Sequence, residues 1–227
     1  MLVAAGCGGS DGNGSADETP TSPTAPAAAQ KEVPTPVEAT ESGAEDIIDF
    51  ASAKNRSKVE AAARELVDVS KGEAADALRS AGVPQERIVL LQKRAQSVGD
   101  IAGNASFLQV SLAANQVSEL MPEFYERYGA PIPPEVLKLD YLDREAELRS
   151  RAGEPGAVRS AVRGLGTTWL VLRGQVVKAG GRKEAAEFGR HVANMGTLVE
   201  GSSSEALQRE ARKGLALVDE LEGVFRK

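Results

Sequence analysis

Hydrophobic residues recur every three or four positions from residue 46 onward, which is the period of an amphipathic helix. The clearest stripe runs from Ile88 through Leu108 to Tyr128. No segment shows the sustained alternation of apolar and polar residues that is typical of a strand. The pattern therefore predicts an all-α protein with helices over residues 45–81, 84–128, 134–179 and 182–226.

Glycine and proline mark the limits of these segments. Gly129 and the following run APIPP end the second segment, and Pro122 predicts a kink within it. The run GEPG at 153–156 either divides the third segment into two helices or bends it sharply. Long segments joined by short turns must lie antiparallel, so we predict one long up-down four-helix bundle with broken or kinked helices.

This topology predicts which residues lie at the same level along the bundle. Counting from the turns, His191 falls level with Trp169, whereas Asp140 and Asp143 fall near the opposite end. At about 1.5 Å per helical residue, these two groups are on the order of 40 Å apart. They are expected to form one site only if the breaks fold the helices back on themselves.

Residues 8–44 have a different composition from the rest of the chain. They contain no aromatic side chain and are rich in Pro, Thr, Ser, Ala and Gly. Such a segment cannot bury enough apolar surface to offset the entropy lost on ordering. We predict a disordered tether over residues 7–44, followed by a helical bundle domain over residues 45–227.

Cys7, the only cysteine, directly follows the letters LVAAG. The small residues Ala5 and Gly6 before it make this stretch resemble the lipobox of bacterial lipoproteins. The resemblance implies that Cys7 is lipidated and becomes the first residue of the mature chain. Residues 1–6 are then a truncated signal-peptide remnant, with the true start upstream. The implied location is extracytoplasmic, on the periplasmic or cell-surface face of a membrane that the acyl chains on Cys7 bind.

Charge is distributed unevenly along the chain. Of the net charge of −6, residues 8–44 contribute −5, from six acidic residues and one lysine. The remaining 27 acidic and 26 basic residues nearly cancel. A near-neutral body predicts no nucleic-acid partner and no basic face for an anionic membrane surface.

His191 is the only histidine, and Met195 lies one helical turn after it. Both residue types serve as axial haem ligands, so a haem- or metal-binding bundle that uses His191, Met195 and Trp169 is one functional alternative. The ordinary alternative is a core histidine at the edge of the apolar stripe, satisfied by Trp169 or by a backbone group.

Asp140 and Asp143 lie three residues apart and share one face of a helix. Two such carboxylates could begin a divalent-metal site or provide the acid and base of an enzyme. The ordinary alternative is a solvated face on which Lys138 and Arg144 pair with these aspartates.

No complete catalytic or cofactor motif occurs in the sequence, so we expect a protein that is not an enzyme and needs no cofactor. The leading hypothesis is a lipid-anchored binding or structural module of the cell envelope. Its partner is expected to be an envelope protein or a small ligand. The alternatives are the haem- or metal-binding bundle and an enzyme that uses Asp140 and Asp143.

Overall fold

A computed structural model describes residues 32–201 and 203–226. The all-α prediction is confirmed, since every regular element in these ranges is a helix and no strand forms there. The helices are shorter than predicted because each predicted segment divides into two or three. They form two four-helix bundles, each around an apolar core of its own.

The N-terminal bundle consists of α1 (Thr35–Ser52), α2 (Arg56–Lys71), α3 (Glu73–Ser80), α4 (Gln85–Ile101), α5 (Phe107–Ser118) and α6 (Met121–Glu126). Helices α1, α2, α4 and α5 form its closed ring. Helix α1 begins ten residues before the predicted boundary, so residues 35–44 are helical and do not belong to a tether. Pro34 and Pro36 favour this start, because proline suits the first turn of a helix.

The segment predicted as one helix over 84–128 is three helices. After α4 ends, Ser106 opens α5 with a capping box, in which the Gln109 amide donates to the Ser106 hydroxyl over 3.2 Å. Pro122 lies in the first turn of α6 and therefore starts a helix instead of kinking one.

The C-terminal bundle consists of α7 (Pro134–Ala152), α8 (Pro155–Lys178), α9 (Arg182–Glu200) and α10 (Ser204–Phe225). Each of these helices packs against the next, and α10 closes the ring against α7. Gly153 ends α7 in the left-handed conformation (φ 73°) and Pro155 begins α8, so the run GEPG reverses the chain. Ser203 caps α10 by accepting a hydrogen bond from the Ala206 amide at 3.2 Å.

The prediction of one long bundle is therefore wrong, because the breaks fold each long segment back on itself. Helix α7 joins the two bundles by packing against α5 and α6. Asn115 of α5 donates a hydrogen bond to Glu145 of α7 over 2.9 Å. Arg144 of α7 pairs with Glu45 of α1 at 3.1 Å.

Candidate functional site

His191 lies inside the C-terminal bundle and both of its ring nitrogens contact carboxylates. Its Nε2 is 2.9 Å and 3.1 Å from the two carboxylate oxygens of Asp143, on α7. Its Nδ1 is 3.2 Å from Glu210, on α10. His191 and Asp143 are fully buried, so three helices meet at one buried charged group. The predicted separation of about 40 Å between His191 and Asp143 is wrong. The break at 153–154 folds α7 back along α8, and Asp143 then meets His191 across the core of the bundle.

Gly214 of α10 provides the space for this contact. A Cβ atom at position 214 would overlap the Asp143 carboxylate and would lie 2.5 Å from His191 Nε2. Any larger residue would therefore separate the histidine from the aspartate. Phe188 packs edge-on against the buried imidazole with ring centroids 5.2 Å apart.

Burial and charge act in opposite directions on this group. Burial alone lowers the pKa of His191, but the hydrogen bonds and charges of Asp143 and Glu210 outweigh it and raise the pKa. Burial raises the pKa of Asp143 to about 6, although the hydrogen bond with His191 opposes that rise. Near neutral pH, the arrangement therefore favours a protonated imidazole between two carboxylates.

The other residues of the predicted haem or metal site belong to the same core. Trp169 packs on Phe188 with ring centroids 4.8 Å apart, and Met195 is fully buried one turn after His191. Coordination of a metal by His191 would require it to give up its contact with Asp143 or Glu210. Within residues 32–201 and 203–226, no group of three His, Cys, Asp or Glu side chains is placed to hold a metal ion.

Asp140 and Asp143 share a helix face but have different partners. Asp140 accepts from Arg144 at 3.1 Å and 3.3 Å, whereas Asp143 contacts His191. Arg144 also binds Glu45, so Asp140 belongs to a second group of charges between the bundles. The pairing with Arg144 agrees with the ordinary alternative for Asp140.

A cleft of about 770 Å³ lies beside Asp140, between α1, α6, α7 and α10. Its wall includes apolar parts of Val33, Ile132 and Leu137 and the ring of Tyr125. Seven carboxylates line the cleft: Glu32, Glu38, Glu41, Glu45, Asp140, Asp219 and Glu222. Arg226 is the one basic residue of the lining in the described part of the chain, so the cleft is strongly acidic.

The environment of the cleft raises the pKa values of its inner carboxyl groups. Burial raises the pKa of Glu41 to about 7, against the effect of a hydrogen bond from Tyr125. Burial, reinforced by the charge of Asp140, raises the pKa of Glu45 to about 8. Burial also raises the pKa of Glu222. The lining has too few positive groups to balance these carboxylates when they are ionised. Protons or an external cation can supply the missing positive charge.

Sequence reasoning missed the cleft because residues up to 44 were assigned to the tether. A signal was available, since Val37, Ala44 and Ile48 are buried at helical spacing after Pro34. That stripe places Glu38, Glu41 and Glu45 together on another face of α1.

Cys7 and the predicted signal-peptide remnant lie outside the described residues. None of the described helices combines the length and the apolarity that a membrane-spanning segment requires. Comparison of the chain with protein-family models, with curated proteins and with solved structures finds no match.

Proposed function

We propose that this protein is a lipid-anchored binding module of the cell envelope, and that it binds an organic cation in the acidic cleft between its two bundles. The observation that carries the proposal is the cleft itself. Its volume of about 770 Å³ falls in the range of small-molecule sites, and an apolar wall and many carboxylates meet there.

The chemistry of the lining indicates the class of ligand. Carboxylates attract a positive charge, while Tyr125 and Leu137 offer an apolar surface for a hydrocarbon chain. A flexible polyamine has both features. Its ammonium groups would replace the protons on Glu41 and Glu45, so binding should release protons.

The anchor rests on the resemblance of the residues before Cys7 to a lipobox. Two acyl chains bind a membrane stably, whereas one chain gives only marginal binding. A binding domain held in this way stays in the envelope and meets ligands there.

Isothermal titration calorimetry tests the cleft, with spermidine as the probe and the full unacylated chain carrying Cys7→Ala. We expect binding that is tighter at pH 8 than at pH 6, with proton release that appears when buffers of different ionisation enthalpy are compared. Glu41→Gln should weaken binding about five- to tenfold, or about 1–1.4 kcal/mol. Glu205→Gln removes the same charge from an exposed site on α10 outside the cleft lining and should leave affinity unchanged. Equal effects of the two variants would contradict the assignment of the cleft.

Intact-mass analysis tests the anchor, on protein expressed in its bacterial host from the native upstream sequence. We expect a chain that starts at Cys7 and carries two or three acyl groups, and an unmodified chain for the Cys7→Ala control. An unmodified wild-type chain in the cytosol would exclude the anchor without affecting the cleft.

A further inference from the structure

The outer face of α8 combines positive charge with exposed apolar side chains. Leu170, Val171 and Val177 are 80%, 57% and 38% exposed. They are all the large apolar residues that are exposed in the described part of the chain, and all lie on this one helix. Single exposed apolar residues are ordinary, so the restriction of all three to one helix is the feature to be explained.

The charges of α8 have a single sign. The helix carries Arg159, Arg163, Arg173 and Lys178 and no acidic residue. All four side chains are exposed, and none of them forms an ion pair within residues 32–201 and 203–226. The one acidic residue in the adjoining groove between α8 and α9 is Glu200, at the end of α9.

Several of these residues lie on one side of the helix. At 100° per residue, Arg159, Arg163 and Val177 project within about 20° of Leu170. Gly174 lies on the same side, and a Cβ atom there would meet nothing within 4 Å. We call this surface, formed by Arg159, Arg163, Leu170, Gly174 and Val177, the α8 face. The near-neutral charge of the whole body does not reveal the α8 face, because acidic residues on other helices balance its cations.

One end of the α8 face lies at the same end of the body as the start of the described chain. Helix α8 lies diagonally across the C-terminal bundle from α10 and packs against α7 and α9. Its last turn lies near the end of α10, since a Cβ at Gly181 would contact both Val176 and Val224. Arg226, just after α10, lines the cleft with Thr35, where α1 begins. The described chain therefore begins at the same end of the body as the C-terminal end of α8.

We propose that the α8 face docks on an anionic lipid bilayer. The unpaired cations match the charge of anionic headgroups, and the exposed aliphatic side chains between them can enter the interface. An acidic protein would satisfy the cations equally well. A bilayer is favoured because the proposed anchor, which belongs to the proposed function, would hold the bundle near one. The anchor is only the reason for choosing this occupant, and the docking does not depend on the cleft.

Co-sedimentation with vesicles tests the α8 face on the full unacylated Cys7→Ala chain, so that the anchor contributes nothing. Vesicles containing about three parts phosphatidylglycerol to seven parts phosphatidylcholine are compared with pure phosphatidylcholine. We expect binding to the anionic vesicles alone, and weaker binding at high salt because surface charges are screened. Each cation near the surface contributes about fivefold in affinity, so Arg159→Gln with Arg163→Gln should lower binding about 25-fold.

Two further variants complete the test. Arg64→Gln with Lys93→Gln removes two exposed charges from the N-terminal bundle and should leave vesicle binding unchanged. Leu170→Ser should weaken vesicle binding while the helix content by circular dichroism stays the same. Absence of binding to anionic vesicles would overturn the proposal. Equal losses of vesicle binding in the two double charge variants, one on α8 and one on the N-terminal bundle, would also overturn it. Binding to soluble polyglutamate without vesicle binding would also overturn it and would indicate an acidic protein as the partner.

Discussion

At the scale of single residues, Gly214 is the position where one added carbon should have the largest effect. Gly214→Ala forces a methyl group between Asp143 and His191, so we expect a loss of about 2–3 kcal/mol of unfolding free energy. The matched control is Gly196→Ala in α9, where the added Cβ would meet nothing within 4 Å. That change should raise the stability by about 0.5–1 kcal/mol, as alanine favours a helix more than glycine. Urea denaturation measures the unfolding free energy of both variants. Equal changes in the two would show that the contact at Gly214 is unimportant.

The His191 group also makes a direct prediction for titration. Because the chain has one histidine, a single imidazole Cε1–H resonance in the NMR spectrum reports its pKa. We expect a midpoint above 6.5, and a lower midpoint in Glu210→Gln, which removes one of the two carboxylates. The stability from this interaction is complete below pH 6.5 and is lost as the pH rises through the folded-state pKa. Glu205→Gln serves as the control and should not shift the resonance. A wild-type midpoint at or below 6.5 would contradict a charged His191.

At the scale of helices, Arg56 is the residue that fixes the break between α4 and α5. Its Nη2 donates to the Ala105 carbonyl over 2.7 Å, and its guanidinium lies 4.2 Å from the centre of the Phe107 ring. Arg56→Lys keeps the charge but loses the planar guanidinium group and its paired donors. We therefore expect the unfolding free energy to fall by about 1–2 kcal/mol. Amide exchange at residues 102–106 should become faster. Arg64→Lys is an exposed change on the same helix, α2. It should alter neither the unfolding free energy nor the rate of amide exchange.

The sequence was sufficient to identify the helices but not how they pair. Helical periodicity predicted many of the buried positions, such as Ile88 and Tyr128, but it missed others, such as Val110 and Ala114 of α5. The run GEPG marked a real break. It could not show whether the chain reverses there, because a kinked helix and a tight helical hairpin have the same apolar stripe. Whether the chain bends or reverses depends on contacts between residues far apart in sequence, such as those of Arg56 with the end of α4.

The same limit applied to the candidate site. His191 and Asp143 were both identified, yet placing them in contact required knowing that α7 and α9 face each other across one bundle. The glycine that makes their contact possible gave no signal of its own, since Gly214 lies in an ordinary amphipathic stripe. The cleft was missed for a different reason. The composition of residues 8–44 suggested disorder throughout, although their last ten residues form the first turns of α1.

At the scale of the whole molecule, the buried acids of both bundles should make stability depend on pH in the same direction. Burial raises the pKa values of Glu41, Glu45, Asp143 and Glu222 above their ordinary values. A carboxyl group whose pKa is raised on folding binds its proton more tightly in the folded state. Its favourable contribution is complete below its unfolded pKa, near 4, and is lost as the pH rises through the folded value. His191 acts in the same sense.

Thermal unfolding should therefore show a higher midpoint near pH 5 than near pH 8. Each kcal/mol shifts the midpoint of a chain of this size by about 2–4 °C, and we expect a total difference of at least about 4 °C. Glu41→Gln with Glu45→Gln removes two of the titrating groups and should flatten the curve by raising the midpoint at pH 8. Spermidine should likewise raise the midpoint more at pH 8 than at pH 5, since at the lower pH protons already occupy the cleft. A midpoint that rises with pH over this range would contradict both the buried charge in the cleft and its proposed exchange of protons for a cation.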